Sequence, residues 1–110
     1  MWLFAKDGFL SIVQHRDQPD VLMVRARVAG DIEHYFPDVT VIRKDDADYL
    51  YRAFIPRVKV ADVVRDMVLN IPSGGFKSTI ADKRREAYYL SVWDTMAEMQ
   101  EELGQGESHG

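Results

Sequence analysis

The segment Val21–Val28, VLMVRARV, limits this chain's possible folds more than any other stretch. Its β-branched and apolar content suits a strand, and strand side chains alternate between two faces. Leu22, Val24, Ala26 and Val28 then share a wholly apolar face, which demands a core. Val21, Met23, Arg25 and Arg27 share the other, which carries two arginines. Asp48–Ile55 repeats the pattern. Tyr49, Tyr51, Ala53 and Ile55 fall on one face, and Leu50, Arg52 and Phe54 on the other. The alternation predicts that Val24, Ala26 and Ala53 lie beneath helices.

The remaining elements follow from punctuation. Trp2, Leu3 and Phe4 form an apolar start expected to dock. Lys6-Asp7-Gly8 fits a tight hairpin or a bulge, with the bulge preferred. Phe9–His15 reads as a strand, and Arg16–Asp20 as a loop in which Pro19 blocks ladder pairing. Gly30 and Asp31 end the strand Val21–Val28 and can cap a short helix, Ile32–Phe36. Pro37-Asp38 stops that helix. Val39–Lys44 is the third expected strand and Asp48–Ile55 the fourth, closed by Pro56. Val60, Val63, Val64, Met67, Val68 and Ile71 recur at helical spacing, predicting a helix over Val58–Asn70. Pro72-Ser73-Gly74-Gly75 breaks the chain, Phe76–Ile80 is ambiguous, and Asp82 can cap a last helix, Lys83–Leu103.

This order predicts an α+β fold: a four-stranded antiparallel sheet with helices on one face, plus a long C-terminal helix. From Val21 to Asn70 the pattern is that of a ferredoxin-like unit lacking its last strand. Phe9–His15 can fill the gap, giving a permuted ferredoxin-like sandwich. The right-handed crossover places Asp48–Ile55 beside Val21–Val28 at the sheet centre. Residues 1–103 form one domain in this reading, and 104–110 a disordered tail.

Composition narrows the classes. A chain of 110 residues is large enough for one real core. It has no cysteine, which rules out disulfides, thiolate metal sites and cysteine nucleophiles. The start MWLFAKDGF lacks the pattern of a signal peptide, so a cytoplasmic protein is expected. The net charge of −4 is uneven, because all 14 basic residues precede Asp94. Asp94, Glu98, Glu101, Glu102 and Glu107 make the C-terminal end acidic. The rest is near neutral, unlike a dedicated duplex-DNA binder.

MWLFAKDGFLSIV, VRARV, ADYLYR, GGFKS and YYLSVWDTM together resemble a family of small bacterial and phage proteins. Its members often begin WLFTK-x-GF-x-S and carry D-Y-x-Y/F-R, N-F-K and V-W-x-x-M segments. The resemblance spans most of residues 1–100 and departs at Ala5 for Thr and Gly75 for Asn. It implies no activity, and supports the element boundaries alone.

Several constellations bear on function. Arg25, Arg27 and Arg52 on one sheet face could hold an anionic small molecule or single-stranded nucleic acid, with Phe54 available for stacking. Lys6 and Lys77 could join from flanking loops. The plainer alternatives are cross-strand pairing of these arginines with carboxylates, or cover by the third helix. Asp45, Asp46 and Asp48 suit a hairpin loop better than a metal site. Ser73–Thr79 fails the phosphate-loop pattern because Phe76 stands where glycine must precede Lys77. His15, His34 and His109 have no ligand spacing, and no nucleophile elbow exists. Neither a catalytic residue nor a cofactor site is assigned, and an enzyme is the least favoured class.

The last helix is unusual. Its apolar residues cover an arc of about 200°, where a core-facing stripe needs nearer 100°. It opens with Lys83-Arg84-Arg85 and closes with Glu98, Glu101 and Glu102, against the preference of the helix dipole. The plainer readings are that the Trp2–Phe4 segment and the sheet both pack on this face and that the charges are simply solvated, whereas an antiparallel homodimer would resolve both features. Tyr89, Val92, Trp93 and Met96 would meet near the axis, and Lys83 and Arg84 would face the partner's Glu101 and Glu102. The leading expectation is therefore a non-enzymatic interaction or regulatory protein that self-associates, with an unidentified protein partner also open. An anion binder on the arginine face is the alternative.

Overall fold

The computed structural model describes residues 1–104 and divides into two compact units, Met1–Gly74 and a C-terminal unit beginning at Gly75. The expected tail lies, from residue 105 on, outside the described residues. No helix among the described residues is long and apolar enough to cross a membrane.

The first unit is built on an antiparallel sheet of five strands, not four. They are β1 (Trp2–Ala5), β2 (Gly8–Gln14), β3 (Val21–Ala26), β4 (Ile42–Arg43) and β5 (Tyr51–Pro56), in the order β1-β2-β3-β5-β4. The added strand is the apolar start. Ala5 pairs with Gly8 across the two-residue turn Lys6-Asp7, so this turn is a tight hairpin and not the preferred bulge. Two contacts explain why the hairpin forms. The Asp7 amide donates to the Tyr35 hydroxyl at 3.1 Å, and the Phe9 amide donates to Asp31 Oδ2 at 3.1 Å. Both acceptors sit on α1 (Asp31–Tyr35). Gly8 is needed there for space: a Cβ would meet Asp31 and Tyr35 atoms at 3.2 Å. Asp31 therefore serves the hairpin, and the residue flanking α1 is Gly30, at a φ of 92° that favours glycine.

The core lies on the face predicted by alternation. Val24, Ala26 and Ala53 are fully buried, and cluster with Leu10, Ile12, Ile55, Ile32 and Phe36 of the α1 region, and Val60. Val60 comes from α2 (Arg57–Leu69), so α1 and α2 serve the same sheet face. Arg57 fixes the start of α2, donating to the Pro19 carbonyl and to Gln14 in and beside the β2–β3 loop.

Three expectations fail at element ends. Val28 is exposed, because β3 stops at Ala26. The strand expected over Val39–Lys44 shrinks to Ile42–Arg43. The chain after Phe36 turns first, with the Val39 amide donating to the Phe36 carbonyl, and Lys59 pairs with Asp38 at 2.6 Å. Val68 and Ile71 were expected on the buried side of the second helix but are exposed, since only Val60, Val63 and Val64 reach the core.

The second unit consists of a 3₁₀ turn, Phe76–Thr79, and α3 (Lys83–Gly104). Phe76 stacks on Tyr89 at 6.1 Å, and Lys77 Nζ lies 5.5 Å from the Trp93 ring centroid. Asp82 caps α3 as expected, its Oδ1 accepting from the Arg84 amide at 2.9 Å.

Candidate functional site

The sheet face opposite the core carries the arginines. The strand registers set Trp2 against Ser11, Ser11 against Arg25, Arg25 against Arg52, and Arg52 against Ile42. One continuous row thus crosses all five strands, with two arginines directly opposed at its centre. Like charges in that position destabilise a sheet.

Each guanidinium is held by neutral groups. Arg25 Nη2 donates to the buried Ser11 hydroxyl at 2.7 Å. Arg52 Nη2 donates to the Tyr49 carbonyl at 3.1 Å, and its Nη1 lies 3.7 Å from Met23 Sδ. Arg27 Nη1 donates to the Asp48 carbonyl at 3.0 Å. The Arg25 and Arg27 guanidiniums lie 4.6 and 4.2 Å from the centroid of the Tyr49 ring, within cation–π range. Among the described residues, none of these three arginines forms an ion pair, so cross-strand carboxylate pairing is not what holds them. The Nε atoms of Arg25 and Arg52 are buried and have no hydrogen-bond partner.

Tyr49 was misplaced by the sequence pattern. Strict alternation puts it with Tyr51 and Ala53, on the core side. In the structure β5 begins only at Tyr51 and residues 47–50 form a bend, so the alternation does not extend to Tyr49. Its ring turns to the arginine face instead, where Phe9 approaches at 6.5 Å. Phe9 in turn stacks on Phe4 at 4.5 Å and meets Trp2 edge-on at 6.1 Å. This aromatic step beside the arginines was not foreseen, because Trp2–Ala5 was not read as a strand. Phe54 is exposed and contacts His15.

Lys6 stands apart from this cluster. Lys6 is exposed in the β1–β2 turn, four residues from Trp2 of the Ser11 row, or roughly 13 Å at the rise of a strand. Lys77 belongs to the second unit, over Trp93. The aspartate cluster divides its roles: Asp45 pairs with Arg43, and Asp48 Oδ1 accepts from the Tyr49 amide. His15 Nδ1 accepts from the Asp17 and Gln18 amides, and His34 pairs with Asp7 at 3.1 Å.

The expected interface residues all fall on α3. Tyr89 and Val92 are half-buried, while Trp93 and Met96 are exposed. Lys83 and Arg84 extend into solvent, each with a carboxylate of its own chain only at 3.7 Å. Glu101 and Glu102 are exposed at the other end. No family model, curated protein or solved structure matches the chain.

Proposed function

We propose that this chain is a small non-enzymatic interaction or regulatory protein that self-associates through α3. One observation carries the reading. α3 runs for 22 residues and fully buries none of them, while Tyr88, Trp93 and Leu103 stand 76, 61 and 66% exposed. A helix of this length normally hides an apolar stripe, and exposed apolar patches mark interaction surfaces. Tyr89, Val92, Met96, Met99 and Leu103 also recur at alternating three- and four-residue steps, the spacing of a coiled-coil seam.

Charge supports a second copy as the occupant. The helix starts with Lys83, Arg84 and Arg85, and has no basic residue in its last turn. An antiparallel partner brings each basic start to the other chain's acidic end, about a two-fold axis near Val92–Trp93. Such a contact is self-complementary, so one patch suffices. Sedimentation at micromolar concentration tests this: twice the chain mass is expected, and a monomer throughout overturns the reading.

The same proposal takes the sheet with α1 and α2 as a permuted ferredoxin-like sandwich to which β1 is added. The antiparallel order β2-β3-β5-β4 and the shared face of the two helices support it. A cytoplasmic location belongs to the proposal too, supported by the cysteine-free composition. So does a bacterial or phage origin, supported by the WLFAK and VWDTM segments.

A further inference from the structure

We infer that the sheet face bearing Arg25, Arg52 and Arg27 binds a small phosphate-bearing molecule with a planar ring. This site is independent of α3 pairing. Three observations carry it. Arg25 and Arg52 are directly opposed across β3 and β5, a repulsive arrangement. The groups that hold these arginines are a hydroxyl, carbonyls, a thioether and a ring, so nothing among them neutralises the charge. The two Nε groups are buried without acceptors, a cost not repaid inside the unit.

An anion on the Nη atoms resolves the charge conflict, and the buried Nε atoms hold the forks in place for it. With their stems and Nε atoms packed in the sheet, the Arg25 and Arg52 forks are fixed, and each keeps N–H groups on its Nη atoms beyond those its protein partners use. Guanidinium forks match the oxygen spacing of phosphate and bind it in pairs. Arg27 adds a third fork beside Tyr49, and is exposed.

The ring of the ligand is inferred from the row itself. Trp2 lies two strands from Arg25 on the same face, or about 10 Å at ordinary strand spacing. It is 67% exposed, and Phe9 braces it edge-on. A flat ring laid on Trp2 would direct an attached phosphate toward the arginines. A compact ligand fits better than a nucleic-acid strand, which needs a basic groove along its backbone. Of the cations beyond the cluster, Arg43 is engaged with Asp45, Lys59 with Asp38, and Arg57 with Pro19 and Gln14.

The test uses the full chain carrying Trp93→Phe, which leaves Trp2 as the single tryptophan. AMP and ribose 5-phosphate are titrated by calorimetry and by Trp2 fluorescence. AMP should bind and quench Trp2, and ribose 5-phosphate should bind more weakly. Trp2→Ala should remove the difference between them. Arg25→Ala and Arg27→Ala should each weaken AMP about tenfold or more. Arg27 is exposed, so its variant reports on binding without endangering the fold. Arg52→Met should abolish binding yet raise the melting temperature of the ligand-free protein, whereas arginines with a purely structural role would lower it. The inference fails if AMP does not bind at millimolar concentration, or if Arg25→Ala and Arg27→Ala bind it like the parent. Binding of a single-stranded oligonucleotide that AMP cannot displace would also overturn it, in favour of a nucleic-acid face.

Discussion

Val24 and Gly8 show how a single position enforces this fold. Val24 is fully buried between β2 and β5, at the centre of the core cluster. Val24→Asp should prevent folding, since an unpaired buried charge costs several kcal/mol. A soluble, cooperatively melting Val24→Asp protein would contradict the strand assignment. Gly8 gives a subtler test. Gly8→Ala forces the new Cβ against Asp31 and Tyr35, and overpacking of this kind costs about 1–3 kcal/mol. The midpoint of thermal unfolding should fall, and an unchanged midpoint would mean that the α1–hairpin contact yields freely. Val24 was legible in the sequence because alternation alone places it. The role of Gly8 was not, since the residues it must avoid lie more than 20 positions away. Tyr49 was misread for a related reason: alternation holds only in extended chain, and it sits in a bend.

Elements read from long periodic patterns were recovered, as was the short helix α1, whereas β1 was missed and β4 is far shorter than expected. β2, β3, β5, α2 and α3 all stand within a few residues of their expected bounds. β1 escaped notice because its pairing depends on a turn held from outside by Tyr35 and Asp31. β4 kept only two residues because the turn after Phe36 consumes the chain ahead of it. α3 carries two predictions of its own. The Arg84 and Arg85 amides donate to Asp82 and hold its carboxyl below the usual aspartate value. Its capping contribution is therefore complete above the ordinary aspartate pKa and is lost as pH falls through the lowered one. Protection of the first-turn amides of α3, taken relative to their intrinsic exchange rate, should fall over that acidic window, and Asp82→Ala should remove this change in protection. Persistence of the change in Asp82→Ala would assign it to another group. Truncation after Thr95 removes Met96, Met99, Leu103 and the acidic end, so it should leave a folded monomer. A dimer that survives truncation would place the interface elsewhere.

At the scale of the molecule, two surfaces among the described residues are not explained by folding alone: the unneutralised arginine row and the unburied helix α3. Natural sequences rarely hold local conflicts without a compensating gain. On the sheet the gain we propose is an anion, and on α3 a second copy of the chain. The charges of α3 allow a direct test by sedimentation of two variants, alone and mixed. Lys83→Glu with Arg84→Glu makes both ends of the helix acidic. Glu101→Lys with Glu102→Lys makes both ends basic. Antiparallel pairing predicts that each variant alone associates more weakly than the parent, and that an equimolar mixture regains the dimer at low salt. Parent-like dimers from either variant alone would contradict the account, as would a mixture no more associated than its components.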